Sequence, residues 1–286
     1  MFSYAKNVVE MAEAAVESGG VAGALTTLRQ LPLDDFGEVF ISLPNPALPN
    51  LSSALPRMAA EQTQVNWTGS SGIVLLRQTD TFVRLLAHNY ESLSGRKLPS
   101  SRILDFGCGY GRIMRALYYF ADPENLYGCD PWDISIDICK EDGVLGHFAI
   151  SDYLPKSLPF EGKFDLIYAF SVFTHLSERA TTACLTTMAD ALAPGGVAAI
   201  TIRPVEYWDF DQRFNDEERK ALVANHNDTG FAFSPHNRSA VDGDVTYGDT
   251  SMTFEYLRSV EPRLHIRKVE RTFDDPFQIV VFMTAS

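Results

Sequence analysis

Apolar positions recur at helical spacing from the start of the chain. Val8, Val9, Ala12, Ala15 and Val16 predict a helix over roughly residues 1–30, stopped by Gly19-Gly20. Leu31–Pro56 loses that period and carries Pro32, Pro44, Pro46, Pro49 and Pro56, which predicts an extended, irregular wrap. Trp67-Thr-Gly-Ser-Ser-Gly72 reads as turn-rich. Ile73 to Leu93 predicts a long amphipathic helix carrying Val74, Leu75, Phe82, Leu85, Leu86 and Tyr90 and ending before Gly95 and Pro99. The period then changes to short apolar runs. Strands are predicted at Ile103–Asp105, Asn125–Asp130, Gly146 to about Ser151, Leu166–Phe170 and in the later part of Ala191–Ile202, alternating with stretches able to form helices. Pro204–Pro262 is too long for a simple crossover. It predicts a helix over Asp211–Asn225, loops or a short hairpin over Phe231–Arg238 and Asp242–Asp249, and a helix over Ser251–Val260. Arg263–Phe273 and Phe277–Met283, joined by Asp274-Asp-Pro276, predict a terminal hairpin.

The densest chemical signal is Ile103-Leu-Asp-Phe-Gly-Cys-Gly-Tyr-Gly-Arg112. It reads as a strand, a glycine turn and a helix start, an arrangement that brings a ligand against bare backbone at the carboxyl end of a strand. A dinucleotide fingerprint needs Gly-x-Gly-x-x-Gly, and Arg112 stands where its third glycine belongs. Asp130, at the end of the second strand, is placed to accept hydrogen bonds from ribose hydroxyls or to cap the following helix. Pro131 and Trp132 follow it, with Trp132 a candidate to flank an adenine ring or simply to pack. Ser151, Asp152 and Tyr153 end the third strand, and Phe170 ends the fourth.

Gly-x-Gly-x-Gly with an acid two residues before the first glycine resembles motif I of class I S-adenosylmethionine-dependent methyltransferases. Two later segments extend the resemblance: Ser171-Val-Phe-Thr-His-Leu176 after the fourth strand, and Leu192-Ala-Pro-Gly-Gly196 before the fifth. The resemblance covers about residues 101–203. It implies a Rossmann-like α/β fold with a seven-stranded, mostly parallel sheet and an antiparallel last strand. It implies S-adenosyl-L-methionine as cofactor, held by Asp105, Gly107, Cys108, Gly109, Gly111, Asp130, Pro131, Trp132, Ser151, Asp152, Tyr153 and Phe170, with Asp152 meeting the adenine amino group. An Asn/Asp-Pro-Pro-Tyr motif, typical of many amine and nucleobase methylators, is absent. The expected organisation is a helical N-terminal extension or lid over residues 1–100 and a methyltransferase domain over 101–286 with an insertion at 204–262. Trp67, Thr68 and Gly69 are candidates for a lid contact.

Composition narrows the partners. The 286 residues carry 24 basic and 37 acidic side chains, a formal net charge of −13. That field repels phosphate backbones, so a small-molecule acceptor is favoured over nucleic acid. No apolar run approaches the roughly 20 residues needed to cross a bilayer, and the N-terminus lacks a charged-then-apolar signal segment. Cys108, Cys129, Cys139 and Cys184 form no Cys-x-x-Cys pair, so neither zinc nor a disulfide framework is expected. A cytoplasmic protein follows from these readings, and no sequence feature sets an oligomeric state.

His175, just beyond the fourth strand, is the candidate catalytic residue, as general base for a hydroxyl acceptor or as the residue that orients it. Its structural alternative is to cap the next helix or to hydrogen-bond the backbone. His226, His236, Tyr207 and Tyr247 are further candidates from the insertion, and a metal held by His226, Asp228 and His236 lacks a fixed spacing. The expected function is transfer of a methyl group to a small molecule, O-directed in natural-product or glycan biosynthesis. A dinucleotide oxidoreductase and a non-catalytic protein keeping the fold are the alternatives.

Overall fold

The computed structural model describes residues 3–285; Met1, Phe2 and Ser286, at the ends of the two expected domains, lie outside the described residues. The strands are β1 (Ile103–Phe106), β2 (Leu126–Asp130), β3 (His147–Ile150), β4 (Phe164–Ala169), β5 (Leu192–Ile202), β6 (Phe231–Pro235), β7 (Gly248–Met252), β8 (Leu264–Glu270) and β9 (Ile279–Ala285). They form a seven-stranded sheet ordered β3-β2-β1-β4-β5-β9-β8 and a two-stranded ribbon, β6-β7. Strands β2 and β3, β1 and β4, and β4 and β5 pair in parallel, whereas β9 runs antiparallel to both β5 and β8. The expected Rossmann-like sheet with its antiparallel terminal strand is therefore present.

The helices are α1 (Ser3–Leu28), α2 (Leu33–Ser42), α3 (Pro49–Ala54), α4 (Glu61–Thr68), α5 (Gly72–Ser94), α6 (Arg112–Leu117), α7 (Asp133–Glu141), α8 (Glu178–Ala191), α9 (Tyr207–Phe210), α10 (Asp216–Thr229) and α11 (Phe254–Val260). Packing divides the chain into two units. One comprises Met1–Glu91, Arg96–Ser101 and Cys108–Ile150; the other comprises Ser92–Gly95, Arg102–Gly107 and Ser151–Ser286.

In the first unit the prolines of the expected irregular wrap stand at helix boundaries. Pro32 is the N-cap of α2 and Pro49 opens α3, positions where a missing N–H costs nothing. Leu33–Ser42 between them contains no proline and is helical. The Gly19-Gly20 break is a kink within α1: Gly20 leaves helical geometry and the helix resumes to Leu28. Trp67, expected in a turn, lies in the last turn of α4, which Gly69 terminates. Phe36 packs on Phe40 and Tyr119, with ring centroids 5.0 and 5.3 Å apart.

A buried cation ties the extension to the helix after β1. The Arg115 guanidinium is 2% exposed. It donates to the Arg57 carbonyl through Nε (3.1 Å) and Nη2 (2.6 Å) and to the Tyr110 carbonyl through Nη1 (2.5 Å). Asp142 lies 3.7 Å away.

The same unit stores an acid in its neutral form. Asp80 on α5 is buried, and its Oδ1 has no hydrogen-bond partner. Burial, then the charge of nearby Asp34, raises its pKa from 3.8 to about 7. The unfolded chain ionises this group well before the folded one does. Its stabilisation is therefore complete below about pH 4 and is lost as the pH rises through about 7. Asp80→Asn removes that dependence. Its stability advantage over the wild type should widen between pH 5 and pH 8, by about 2 kcal/mol after allowance for solvent screening, and the melting-temperature difference should widen with it. Parallel wild-type and mutant pH profiles would refute the assignment.

In the second unit, β4 and β5 are near-continuous apolar runs buried on both faces, as parallel strands require. The α10 helix starts at Asp216, five residues later than the expected Asp211. Asn215 and Glu218 form a reciprocal capping box there, and Gly230 ends the helix. The short hairpin foreseen in the insertion is the β6-β7 ribbon. Ser251 and Met252, expected in a helix, belong to β7, and Thr253 caps α11 through Tyr256. Tyr207, Trp208, Leu222 and Ala232 form a satellite core with Phe214 and Phe277.

Candidate functional site

After β1 the chain turns through Gly107, Gly109 and Gly111, at φ +80°, +52° and +72°, and enters α6. In the first unit the loop is fastened from below. Asp130, at the tip of β2, accepts the Gly109 N–H at Oδ2 (3.0 Å) and the Trp132 N–H at Oδ1 (2.9 Å). Burial raises the pKa of this carboxyl, and the two amides oppose that rise. The Cys108 N–H donates to the Cys129 carbonyl, and Cys139 Sγ donates to the Gly109 carbonyl at 3.3 Å. Trp67 stacks on Trp132 with centroids 4.8 Å apart and planes inclined by 27°, and lies 5.7 Å from Tyr110. A Cβ added at Gly109 would meet only the Trp67 ring, at 3.8 Å. Gly109, Asp130 and Trp132 thus form one cradle with an aromatic wall, part of which Trp67 of α4 supplies.

In the second unit Asp105 is buried in β1 opposite Tyr168. Gly107 faces Val172 so closely that a Cβ would collide with its methyl group. Ser151 is buried, Asp152 exposed, and Tyr153 and Phe170 half-buried. Ser171, immediately after β4, adopts φ +59°. Thr201 Oγ1 accepts its N–H at 2.7 Å and Gln278 Nε2 donates to its Oγ at 2.9 Å. A non-glycine residue held in the left-handed region beside a strand tip is a feature of functional sites, and no sequence pattern announced it.

His175 sits at the centre of a polar cluster. Its Nδ1 lies 2.7 Å from the Gly248 carbonyl and its Nε2 3.2 Å from Arg203 Nη2. Because an arginine only donates, Nε2 accepts and Nδ1 carries the proton. Burial, then the Arg203 cation, lowers its pKa from 6.5 to about 3. The ring also stacks on Tyr247, 5.0 Å away and inclined by 7°. Both nitrogens are engaged and the ring is held neutral, and the Nδ1–H bond to a backbone carbonyl is the structural alternative to a catalytic part for His175.

The hub of the cluster is Asp249, which the sequence reading did not select. It is 2% exposed. Arg203 donates to Oδ1 (2.7 Å), Tyr207 to the same oxygen (3.1 Å), and Arg213 (2.7 Å) and His236 (2.8 Å) to Oδ2. Burial raises its pKa, but the His236 hydrogen bond and the surrounding cations outweigh burial and hold it at about 2. Arg213 also pairs with Asp211. His226 is elsewhere, bonded to Ser251 Oγ at 2.8 Å. Among the described residues no group of three or more His, Cys, Asp or Glu side chains is placed to hold a metal ion.

Residues 103–196 match the family described as methyltransferase domain. Over these residues the chain is similar to the methyltransferase family that its glycine loop resembles. Solved structures share the fold at low identity. Magnesium protoporphyrin IX methyltransferase from Synechocystis PCC 6803 with bound S-adenosylmethionine is 11% identical at a TM-score of 0.50, covering 90% of this chain and 98% of that one. The same enzyme with bound S-adenosylhomocysteine is 13% identical at a TM-score of 0.50, covering 78% and 97%. An S-adenosylmethionine-dependent methyltransferase from Clostridium acetobutylicum ATCC 824 is 14% identical at a TM-score of 0.49, covering 73% and 92%. No curated protein matches the sequence.

The two Synechocystis structures hold S-adenosylmethionine and S-adenosylhomocysteine. The cradle fits such a ligand: side chains are missing where a backbone must approach closely, and a carboxylate and aromatic rings stand beside the gap. No helix among the described residues is long and apolar enough to cross a membrane.

Proposed function

We propose that the chain transfers a methyl group to a hydroxyl of a small molecule in the cytoplasm, and that the residues named from the sequence hold its cofactor. The observation that carries this reading is the Gly109–Asp130 fastening beside the Trp67–Trp132 stack. Bound S-adenosylmethionine supplies the electrophilic methyl group. The chain's own residues then have three tasks. Gly107, Gly109 and Gly111 present backbone, and Asp130 keeps Gly109 in place for it. Trp67, from the extension, screens the loop from water as a lid. At the carboxyl ends of β4 and β5, His175 positions the acceptor side by fixing Gly248 and Arg203.

A small acceptor is supported by the net charge of −13, and a reducing compartment by the four free cysteines. Magnesium protoporphyrin IX methyltransferase bears the name of a small-molecule acceptor, which supports the same substrate class. The dinucleotide reading has little support, since Arg112 occupies the third glycine position and instead donates to Gln78 and Thr79.

Calorimetry with S-adenosylhomocysteine and NADH tests the reading. S-adenosylhomocysteine should bind at micromolar strength or better and NADH should not. Asp130→Ala, which frees two amides from a charged acceptor, should weaken S-adenosylhomocysteine binding at least about tenfold. An unchanged affinity would leave Asp130 as a helix cap alone.

A further inference from the structure

We propose that His236, oriented by Asp249, is the general base that takes the proton from the acceptor hydroxyl. This rests on the methyl-transfer reading above and adds a residue and a proton path to it.

The tautomer follows from the neighbours. Asp249 is ionised and faces Nε2 of His236 at 2.8 Å. A carboxylate only accepts, so Nε2 carries the hydrogen, and the lone pair of a neutral ring stands on Nδ1. Nδ1 makes no hydrogen bond among the described residues. The side chain is about one third exposed, so this nitrogen is open to a ligand, unlike either nitrogen of His175. A base oriented through its far nitrogen by a buried carboxylate is a recurrent arrangement for activating a hydroxyl.

The location fits. The His236 N–H donates to the Tyr247 carbonyl at 3.0 Å, which fixes the residue to the start of β7. The amides of Gly248 and Thr250 donate to the carbonyls of His175 and Thr174, so β7 lies along the loop that follows β4. The rings of His175 and His236 are 6.3 Å apart. The base therefore stands at the carboxyl ends of the parallel strands, where ligands of open α/β sheets bind. The other candidates in the cluster are excluded by their bonding. Burial raises the Tyr207 phenol far above its usual range, and its hydroxyl donates to Asp211 and Asp249. Asp249 is surrounded by donors.

In the step proposed, the acceptor O–H passes its proton to Nδ1 while the oxygen lone pair forms the new O–CH₃ bond. The S–CH₃ bond breaks and its electron pair stays on sulfur, giving S-adenosylhomocysteine. The imidazolium, paired with the Asp249 carboxylate, then returns the proton to water. The charged groups around the ring are Asp249 from β7, Arg203 after β5, Asp211 and Arg213 after α9, and Arg238 lying over Tyr247. The two arginines on Asp249 keep the carboxylate ionised.

The test uses the full chain in three measurements. Long-range ¹H–¹⁵N spectra should show His236 protonated at Nε2 and bare at Nδ1, a pattern absent from His236→Gln. Calorimetry with S-adenosylhomocysteine should give that variant an affinity within about twofold of wild type. Release of S-adenosylhomocysteine should then be followed with a panel of phenols, hydroxylated carboxylic acids and nucleotide sugars. His236→Gln should turn over an accepted hydroxyl at least about a hundredfold more slowly. Asp249→Asn should lower turnover and alter the tautomer ratio; because it can unfold the ribbon, its melting curve is recorded as well. A proton on Nδ1, or near-normal turnover by His236→Gln, overturns the base assignment while leaving methyl transfer intact. Wild-type protein that binds S-adenosylhomocysteine but methylates no hydroxyl in the panel overturns the hydroxyl reading and the base with it. Failure to bind S-adenosylhomocysteine overturns the cofactor site itself.

Discussion

Gly109→Val is expected to lose S-adenosylhomocysteine binding by more than a hundredfold while the protein stays folded. Gly109 stands at φ +52°, where a β-branched side chain is strained by about 1–2 kcal/mol. Relief of that strain requires rotating the very peptide whose N–H is held by Asp130 at 3.0 Å. The protein itself has room, since a Cβ here is 3.8 Å from the nearest ring atom of Trp67. The cost therefore falls on whatever must lie against the loop. Calorimetry with S-adenosylhomocysteine and a melting curve separate the two effects. Normal affinity in Gly109→Val would show that the ligand does not pass this glycine.

Gly248→Ala is expected to fail differently. An added Cβ would fall inside the carbonyl oxygen of Ser234, and it would lie 2.7 Å from the Phe233 ring and 2.8 Å from Pro235 Cα. Two of these neighbours are backbone paired across the β6-β7 ribbon, so they cannot swing aside. Overpacking of this kind costs about 3 kcal/mol, and the displacement is passed to Asp249, the next residue. Lower melting temperature and loss of turnover are expected together, with S-adenosylhomocysteine affinity retained. A variant as stable as wild type would mean that the ribbon is held less rigidly than its contacts imply.

The strand positions and the glycine loop were legible because each depends on local pattern, whereas the sheet they build was implied only by the family resemblance. Buried parallel strands must be short apolar runs, and the loop needs glycine wherever the backbone turns left-handed. Proline content misled over Leu33–Ser42, because prolines that punctuate helices look the same in composition as prolines that prevent them. The acceptor-side cluster was largely illegible. Arg203, Arg213, His236 and Asp249 come from four separate segments and meet only after the ribbon pairs and α9 docks. His236 could be named only as one of several alternatives, and Asp249 sits in a glycine- and aspartate-rich stretch that reads as loop. Ser171 carried no sign of its left-handed backbone. His175 was conspicuous by position, but its bonding partners lie on β7 and after β5, beyond the reach of any spacing rule.

The Arg115 anchor makes modularity one-sided. Its guanidinium is fully buried, and the Arg57 carbonyl that takes two of its N–H groups belongs to the extension. Trimming the chain to the catalytic sheet would take the acceptor from two N–H groups of a buried cation, beside the glycine loop whose Tyr110 carbonyl it also holds. The first hundred residues therefore cannot be exchanged between relatives like an appended module. Any transplant has to carry an equivalent carbonyl to Arg115 or replace the arginine at the same time.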